Sequence, residues 1–352
     1  MADTQETNRR RLRRLGEMDK TKAVDMANRA LKDTWSVGLK PDNVVLRLEF
    51  IQQKEGDAPL VNLIKSQGIA LRFYLLALFD AQCRLPADAT WTNSRPLRGP
   101  GSWSDFIATD GAYDTRTQTY MRDTKQGRTR GDLRLRQIQG ALRTLEELGA
   151  ERALVTVPQA ENGGRRQYAG FTLMKETGRG NYQTADTYVV PRNVWSVKTV
   201  TVPATFFLNG WVQVLHPTEI ATWLILRALS QWARKSHTES GVYLYGKARE
   251  EDFGMRRNPW EDACQRLLDF DLIRHAHAGD LNSDPTGFGN MIVNYMARWE
   301  RDRYEPYRWQ ITDMGLNDDA MKICLRELTL RQKSADRAAE ARARKKSEPP
   351  AK

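Results

Sequence analysis

Apolar residues recur at helical spacing over Gly131–Gly149, where Leu135, Ile138, Ala141, Leu142, Leu145 and Leu148 make one face. The opposite face of that predicted helix carries Arg136, Gln139, Gly140 and Arg143, and Gly149 suits its C-terminal end. The period then changes. Ala153–Val157 reads as a strand, Asn162-Gly163-Gly164 as a turn, and Ala169, Phe171 and Leu173 alternate along a returning strand. Arg165 and Arg166 stand at the rim of this hairpin. Upstream, Ile69–Leu85 is apolar almost all round, as a central buried helix requires, and Ser102–Ile107 reads as a short second helix.

The second half repeats that plan. Tyr188–Pro191 and Val200–Phe207 lead into an apolar helix at Pro217–Trp232, with Pro217 at the first helical position. Gly241–Tyr245 reads as a short strand and Lys247–Phe253 as a short helix. Asn258-Pro259-Trp260-Glu261 has the form of a capping box opening a helix whose apolar face is Trp260, Ala263, Cys264, Leu267 and Leu268. Leu272–Ala276 follows as a strand, 278–290 as a wing-like loop, and Met291–Trp299 as the returning strand. The repeat predicts an α+β chain, mainly helical with small antiparallel hairpins, built as two tandem modules. The expected division is a basic N-terminal extension at 1–67, a first module at 68–176, a linker at 177–199, a second module at 200–312, and a C-terminal helix with a basic tail at 313–352. Within the extension, 1–16 reads as disordered, Met18–Asp33 as a helix and Val44–Ile51 as a strand. Asn317 is placed to cap a terminal helix with the stripe Met321, Cys324, Leu325 and Leu328, which fades beyond Ser334.

Charge narrows the partner. The 352 residues carry a net +11, of which the first 22 contribute +3 and the last 22 contribute +5. Such basic ends attract phosphate without regard to sequence. The Asp110–Gly131 insertion adds Arg116, Arg122, Lys125, Arg128 and Arg130, diluted by Asp114, Asp123 and Asp132. Cys83, Cys264 and Cys324 form no CxxC pair, which argues against a disulfide framework or zinc ribbon and for a reducing cytoplasm. Arg9–Arg14 is not followed by an apolar run, as a secretory signal would be, and the apolar helices at 69–79 and 220–232 are too short to span a bilayer. A cytoplasmic, nucleoid-associated protein with no membrane partner is expected.

Arginine and glutamine are the side chains suited to bidentate contact with guanine and adenine edges. The candidate DNA-contacting set is therefore Arg128, Arg130, Arg134, Arg136, Gln139, Gly140 and Arg143 on and before the helix, and Arg165 and Arg166 on the hairpin. Arg256 and Arg257 are placed to hold a backbone phosphate before the corresponding second helix. That helix carries Asp262, Gln265, Arg266 and Asp269 outward, and its loop carries Asp280 and Asp284. Phosphates repel these carboxylates, so base reading is assigned to the first module. Backbone contacts or homodimerisation through its apolar surface are left to the second.

Catalytic signals are sparse. His275-Ala276-His277 resembles the metal motif of rolling-circle nickases, with Tyr295 or Tyr304 as a conceivable nucleophile. It follows a helix rather than standing on the antiparallel platform such a nickase needs. No GxxxxGK[ST] stretch is present; Lys247 follows Gly246 without the rest of the motif. A non-enzyme with no metal, cofactor or small-molecule substrate is expected.

Five stretches resemble a group of bacterial tandem winged-helix proteins frequent in actinobacteria. They are Tyr74–Cys83 (YLLALFDAQC), Ser102–Ala108 (SWSDFIA), Gln137–Gly149 (QIQGALRTLEELG), Val202–Val214 (VPATFFLNGWVQV) and Leu215–Leu226 (LHPTEIATWLIL). The resemblance covers roughly residues 68–300 and is more specific for fold than for biological role. It implies two winged-helix modules and sequence-specific DNA binding, and does not distinguish transcription control from replication initiation or partition. A transcriptional regulator that binds double-stranded DNA is the expectation adopted. Plasmid replication initiators are similar in architecture, so replication or partition of a plasmid or mobile element is the alternative. Winged helices also serve as protein-interaction scaffolds. The insertion between Asp110 and Gly131 departs from the group's pattern.

Overall fold

Two helical halves meet at a pair of strands in the computed structural model, which describes residues 2–52, 58–65, 68–109, 112–114, 119–121, 130–160, 164–180, 185–194, 197–232, 244, 246–276 and 308–347. The architecture is mixed α+β and mainly helical, with small antiparallel sheets of two strands each among the described residues. The chain opens with α1 (Ala2–Lys20), α2 (Ala23–Val37), β1 (Asn43–Arg47) and α3 (Pro59–Lys65).

Residues 1–16, read as disordered, are corrected to helix: they lie in α1 from Ala2 onward. The reason is a stripe with two polar members. Asn8, Arg11, Leu15 and Met18 recur at three- and four-residue intervals and are buried. Asn8 donates to the Leu328 carbonyl at 3.2 Å and to Gln332 at 3.0 Å, both on the distant C-terminal helix. A stripe that depends on partners some three hundred residues away has no local signature. The single helix expected at Met18–Asp33 is broken at Lys22, which takes a left-handed φ of 52°. The strand expected at Val44–Ile51 ends at Arg47 and passes into a 3-10 turn at Leu48–Phe50.

The first half then runs through α4 (Ala70–Arg84), a 3-10 turn at Trp103–Phe106, the hairpin β2 (Ala112–Asp114) and β3 (Thr119–Met121), α5 (Arg130–Glu146), and the hairpin β4 (Val155–Thr156) and β5 (Thr172–Leu173). The second half follows β6 (Thr199–Pro203), α6 (Ala204–Leu208) and α7 (Trp211–Val214) with α8 (Pro217–Trp232), α9 (Gly246–Phe253), α10 (Arg257–Asp269), β7 (Ile273–His275) and β8 (Trp309–Ile311), and ends in α11 (Ala320–Ser347). The order long helix, short helix, helix and antiparallel strand pair thus occurs twice.

β1 and β6 join the halves. They pair antiparallel with Val45 opposite Thr201. The Gln82 side chain on α4 accepts from the Val45 N–H at 2.8 Å and donates to its carbonyl at 2.7 Å. Gln231 on α8 does the same to Thr201, at 2.9 and 3.0 Å. Each amide satisfies the strand edge that would otherwise stay unpaired. The local two-fold of an antiparallel pair relates the two glutamines, so each half supplies one strand and the helix that closes it.

Several boundaries differ from expectation. α10 begins at Arg257, and Trp260 N–H donates to the Arg256 carbonyl at 3.2 Å, so Arg256, not Asn258, is the N-cap. Pro259 then lies inside the first turn, where its missing N–H is not needed. α11 is capped by Asp319, which accepts from Met321 and Lys322 N–H at 3.0 and 3.1 Å, while Asn317 closes a 3-10 turn. The helix continues well past Ser334. The partner of β7 is Trp309–Ile311; Met291–Trp299 and the loop 278–290 lie outside the described residues, as does most of Gly241–Tyr245. In the stretch read as a linker, Gly178 and Tyr188 are buried, and beside it buried Glu176 is ion-paired to Arg47. No helix among the described residues is long and apolar enough to cross a membrane.

Candidate nucleic-acid interface

α5 is held by its inner face. Ile138, Ala141, Leu142 and Leu145 are buried against the core, with Leu133 beside them. Leu135 and Leu148 are only half-buried. Phe171 anchors the following hairpin, packing on Phe73 of α4 at 5.8 Å and on Trp103 at 5.6 Å between ring centres. The hairpin is tied to the helix as well, because Glu146 accepts the Val157 N–H at 2.9 Å. Helix and hairpin therefore share one rigid support.

The outer face is the expected one. Arg136, Gly140 and Arg143 are exposed and Gln139 is half-buried. At ~1.5 Å of rise per residue, Arg136 and Arg143 stand about 10 Å apart along the axis. Gly140 lies between them, and a Cβ added there meets nothing within 4 Å. Close packing against a neighbouring helix is thus not why this position is glycine. Glycine in a helix interior costs about 1 kcal/mol relative to alanine, so Gly140→Ala is expected to raise the thermal midpoint of the free protein. A lowered midpoint in a melt would show a packing constraint at this position.

The returning strand is corrected at its start. Ala169 belongs to a 3-10 turn, Tyr168–Gly170, and only Thr172–Leu173 pair with β4. That turn brings Tyr168 to the helix, where Arg143 donates to its hydroxyl at 3.2 Å. Arg166 lies 3.4 Å from both Glu146 and Glu147 at the same end of the helix, and its charge acts on that hydroxyl too. Burial alone would raise the Tyr168 phenol, but the hydrogen bond from Arg143 and the nearby positive charge of Arg166 outweigh it and bring it below its ordinary value. Sequence reasoning missed Tyr168; its only signal was an aromatic residue two positions after a pair of arginines. Arg165 is exposed on the same hairpin. Arg134 is half-buried, Arg130 opens α5, and Arg128 lies outside the described residues, as do Asn162 and Gly163 of the hairpin tip.

A search of protein-family models, curated proteins and solved structures finds no match to this chain.

The corresponding helix in the second half is arranged differently. Trp260, Ala263, Cys264 and Leu267 are buried as expected, Leu268 is only half-buried, Asp262 and Gln265 are exposed, and Arg266, expected outward, is half-buried. Asp269, expected to face outward, is instead bonded by Arg331 of α11 at 2.6 Å. Arg257 is exposed but ion-paired to Glu261 one turn on at 2.8 Å, which offsets its charge, and Arg256 is exposed at the helix start. Of the histidine pair, His275 stacks on Trp309 with ring centres 4.5 Å apart, and His277 lies outside the described residues. Tyr295 and Tyr304 lie outside them too.

Proposed function

We propose that this chain binds double-stranded DNA by sequence, with α5 entering the major groove and the β4–β5 hairpin lying against the adjacent backbone, as in a winged-helix module. One observation carries the reading. The outer face of α5 presents Arg136, Gln139 and Arg143 around a glycine in open space, opposite the buried Ile138, Ala141, Leu142 and Leu145 and next to a basic hairpin fixed to the same core. Arginine and glutamine carry the donors and acceptors that base edges offer in the major groove, and a glycine between them lets the backbone approach.

The second half supports DNA binding less directly. Its outer helix face is acidic at Glu261 and Asp262, and its end is engaged by the C-terminal helix. These features favour a supporting role, through a phosphate contact at Arg256 or through protein contacts, with base reading in the first half.

The biological role we infer is transcriptional regulation, with replication or partition of a mobile element as the alternative. Selection of bound duplexes from a random-sequence pool tests the binding itself; failure to enrich any sequence would remove the reading. Genome-wide mapping of bound sites then separates the roles. A site beside the protein's own gene indicates autoregulation, and an array of repeats near an origin indicates replication or partition.

A further inference from the structure

We propose that Arg143, Arg166 and Tyr168 form one phosphodiester-binding site at the junction of α5 and the hairpin, so that Arg143 holds the DNA backbone rather than reading a base. This rests on the nucleic-acid reading above and changes the part that Arg143 plays in it.

The geometry is that of converging donors. Arg143 donates to the Tyr168 oxygen at 3.2 Å from the helix side, and Arg166 reaches the same end of α5 from the hairpin side, 3.4 Å from Glu146 and Glu147, where its charge also acts on Tyr168. Two guanidinium groups brought to one neutral oxygen repel each other, a cost that an anion between them would remove. A phenol that accepts from arginine keeps its own proton to donate. The remaining guanidinium N–H groups and the Tyr168 O–H are thus donors in one place, and a phosphate oxygen is an acceptor with the right charge. A base edge in the major groove offers no such anion.

The neighbouring carboxylates set how the site opens. Glu146 is retained by the Val157 N–H at 2.9 Å. Glu147 has no such anchor in the hairpin; its side chain is 57% exposed and lies 3.4 Å from Arg166. An exposed ion pair of that length is weak. Glu146 and Glu147 thus both hold Arg166 in the free protein, and the exposed Glu147 is the one exchanged for phosphate when DNA binds while Glu146 stays on the hairpin. Tyr168 is a positioning residue in this scheme as well as a donor, since it sets where both arginines point.

Phosphate and base contacts leave different signatures. Loss of a phosphate contact weakens binding equally on all sequences and lowers the salt slope by about one, whereas loss of a base contact relaxes preference at one position. The measurement uses the full chain, the duplex recovered by selection and a scrambled duplex of the same composition, titrated over a range of salt. Arg143→Ala and Arg166→Ala are each expected to lower affinity by the same factor on both duplexes and to reduce the slope of log affinity against log salt by about 0.9. Tyr168→Phe is expected to lose affinity uniformly as well, and to add little once Arg143 is alanine. Glu147→Gln is expected to raise affinity on both duplexes, a result that a merely structural role for this cluster does not give. Thermal melts of each variant separate these effects from loss of fold. Relaxed base preference in Arg143→Ala at an unchanged salt slope would overturn the phosphate site while leaving DNA binding intact. A wild-type chain that binds neither duplex overturns both proposals together.

Discussion

Glu219→Ala lowers the free energy of unfolding by about 3–5 kcal/mol, because it leaves a buried guanidinium without its counter-charge. Glu219 stands in the first turn of α8, and Arg11 reaches it from α1; their side chains are 5% and 9% exposed. One carboxylate oxygen takes Arg11 at 2.8 Å and also the His216 backbone N–H at 2.8 Å, and the guanidinium lies over the Phe270 ring at 5.4 Å. The pair therefore fastens the N-terminal helix to the second half. Replacing both members together, Arg11→Met with Glu219→Leu, is expected to recover most of the loss, since paired removal leaves no orphan charge. Burial alone would raise the Glu219 carboxyl, but Arg11 prevails and holds it below its ordinary 4.5. The pair's contribution is then complete above that value and is lost as pH falls through the lower, folded one. Urea unfolding of wild type and Glu219→Gln should show a deficit at neutral pH that shrinks in acid. An equal deficit at both would place the carboxyl's titration elsewhere.

Arg136→Ala is expected to cost about 1–3 kcal/mol of affinity for the selected duplex and much less for a scrambled one. Arg136 is the arginine on the outer face of α5 that lies away from the hairpin, at the N-terminal side of Gly140. It is therefore the arginine free to follow the groove toward base edges, whereas Arg143 is directed to Tyr168. The expected result is a drop of roughly 5- to 150-fold on the selected site with the salt slope nearly unchanged. Equal losses on both duplexes would make Arg136 a backbone contact and leave α5 without an arginine reader.

These two residues illustrate different degrees of legibility. Arg136 was placed correctly from spacing alone, since its position opposite Ile138 and Leu142 follows from the angle between successive residues on a helix. The same arithmetic placed the inner faces of α5 and α10, and the α8 boundaries agree with Pro217–Trp232. Arg11 was read as part of a disordered basic stretch. Its burial depends on Glu219, and nothing near Arg11 in sequence announces that partner.

Periodicity is local information, and where an apolar stripe is complete, as in α4, α5, α8 and α10, it determined where the helix runs and which way its faces point. The identity of a charged residue's partner is not local. Asp269 was expected to face outward and is held by Arg331, and Tyr168, which the sequence did not single out, is carried to Arg143 by a 3-10 turn. Gln82 and Gln231 gave no sign that each would complete the edge of a strand pair formed between the two halves. The sequence by itself determined α4, α5, α8 and α10, their inner faces and the doubled order of elements, because each depends on residues within a few turns, whereas α1 did not show in it. The tertiary structure decided the joining of the halves at β1 and β6, the docking of α1 and which arginines remain available. Those outcomes require polar groups to find partners tens to hundreds of residues away, where desolvation is offset only once the whole chain has folded.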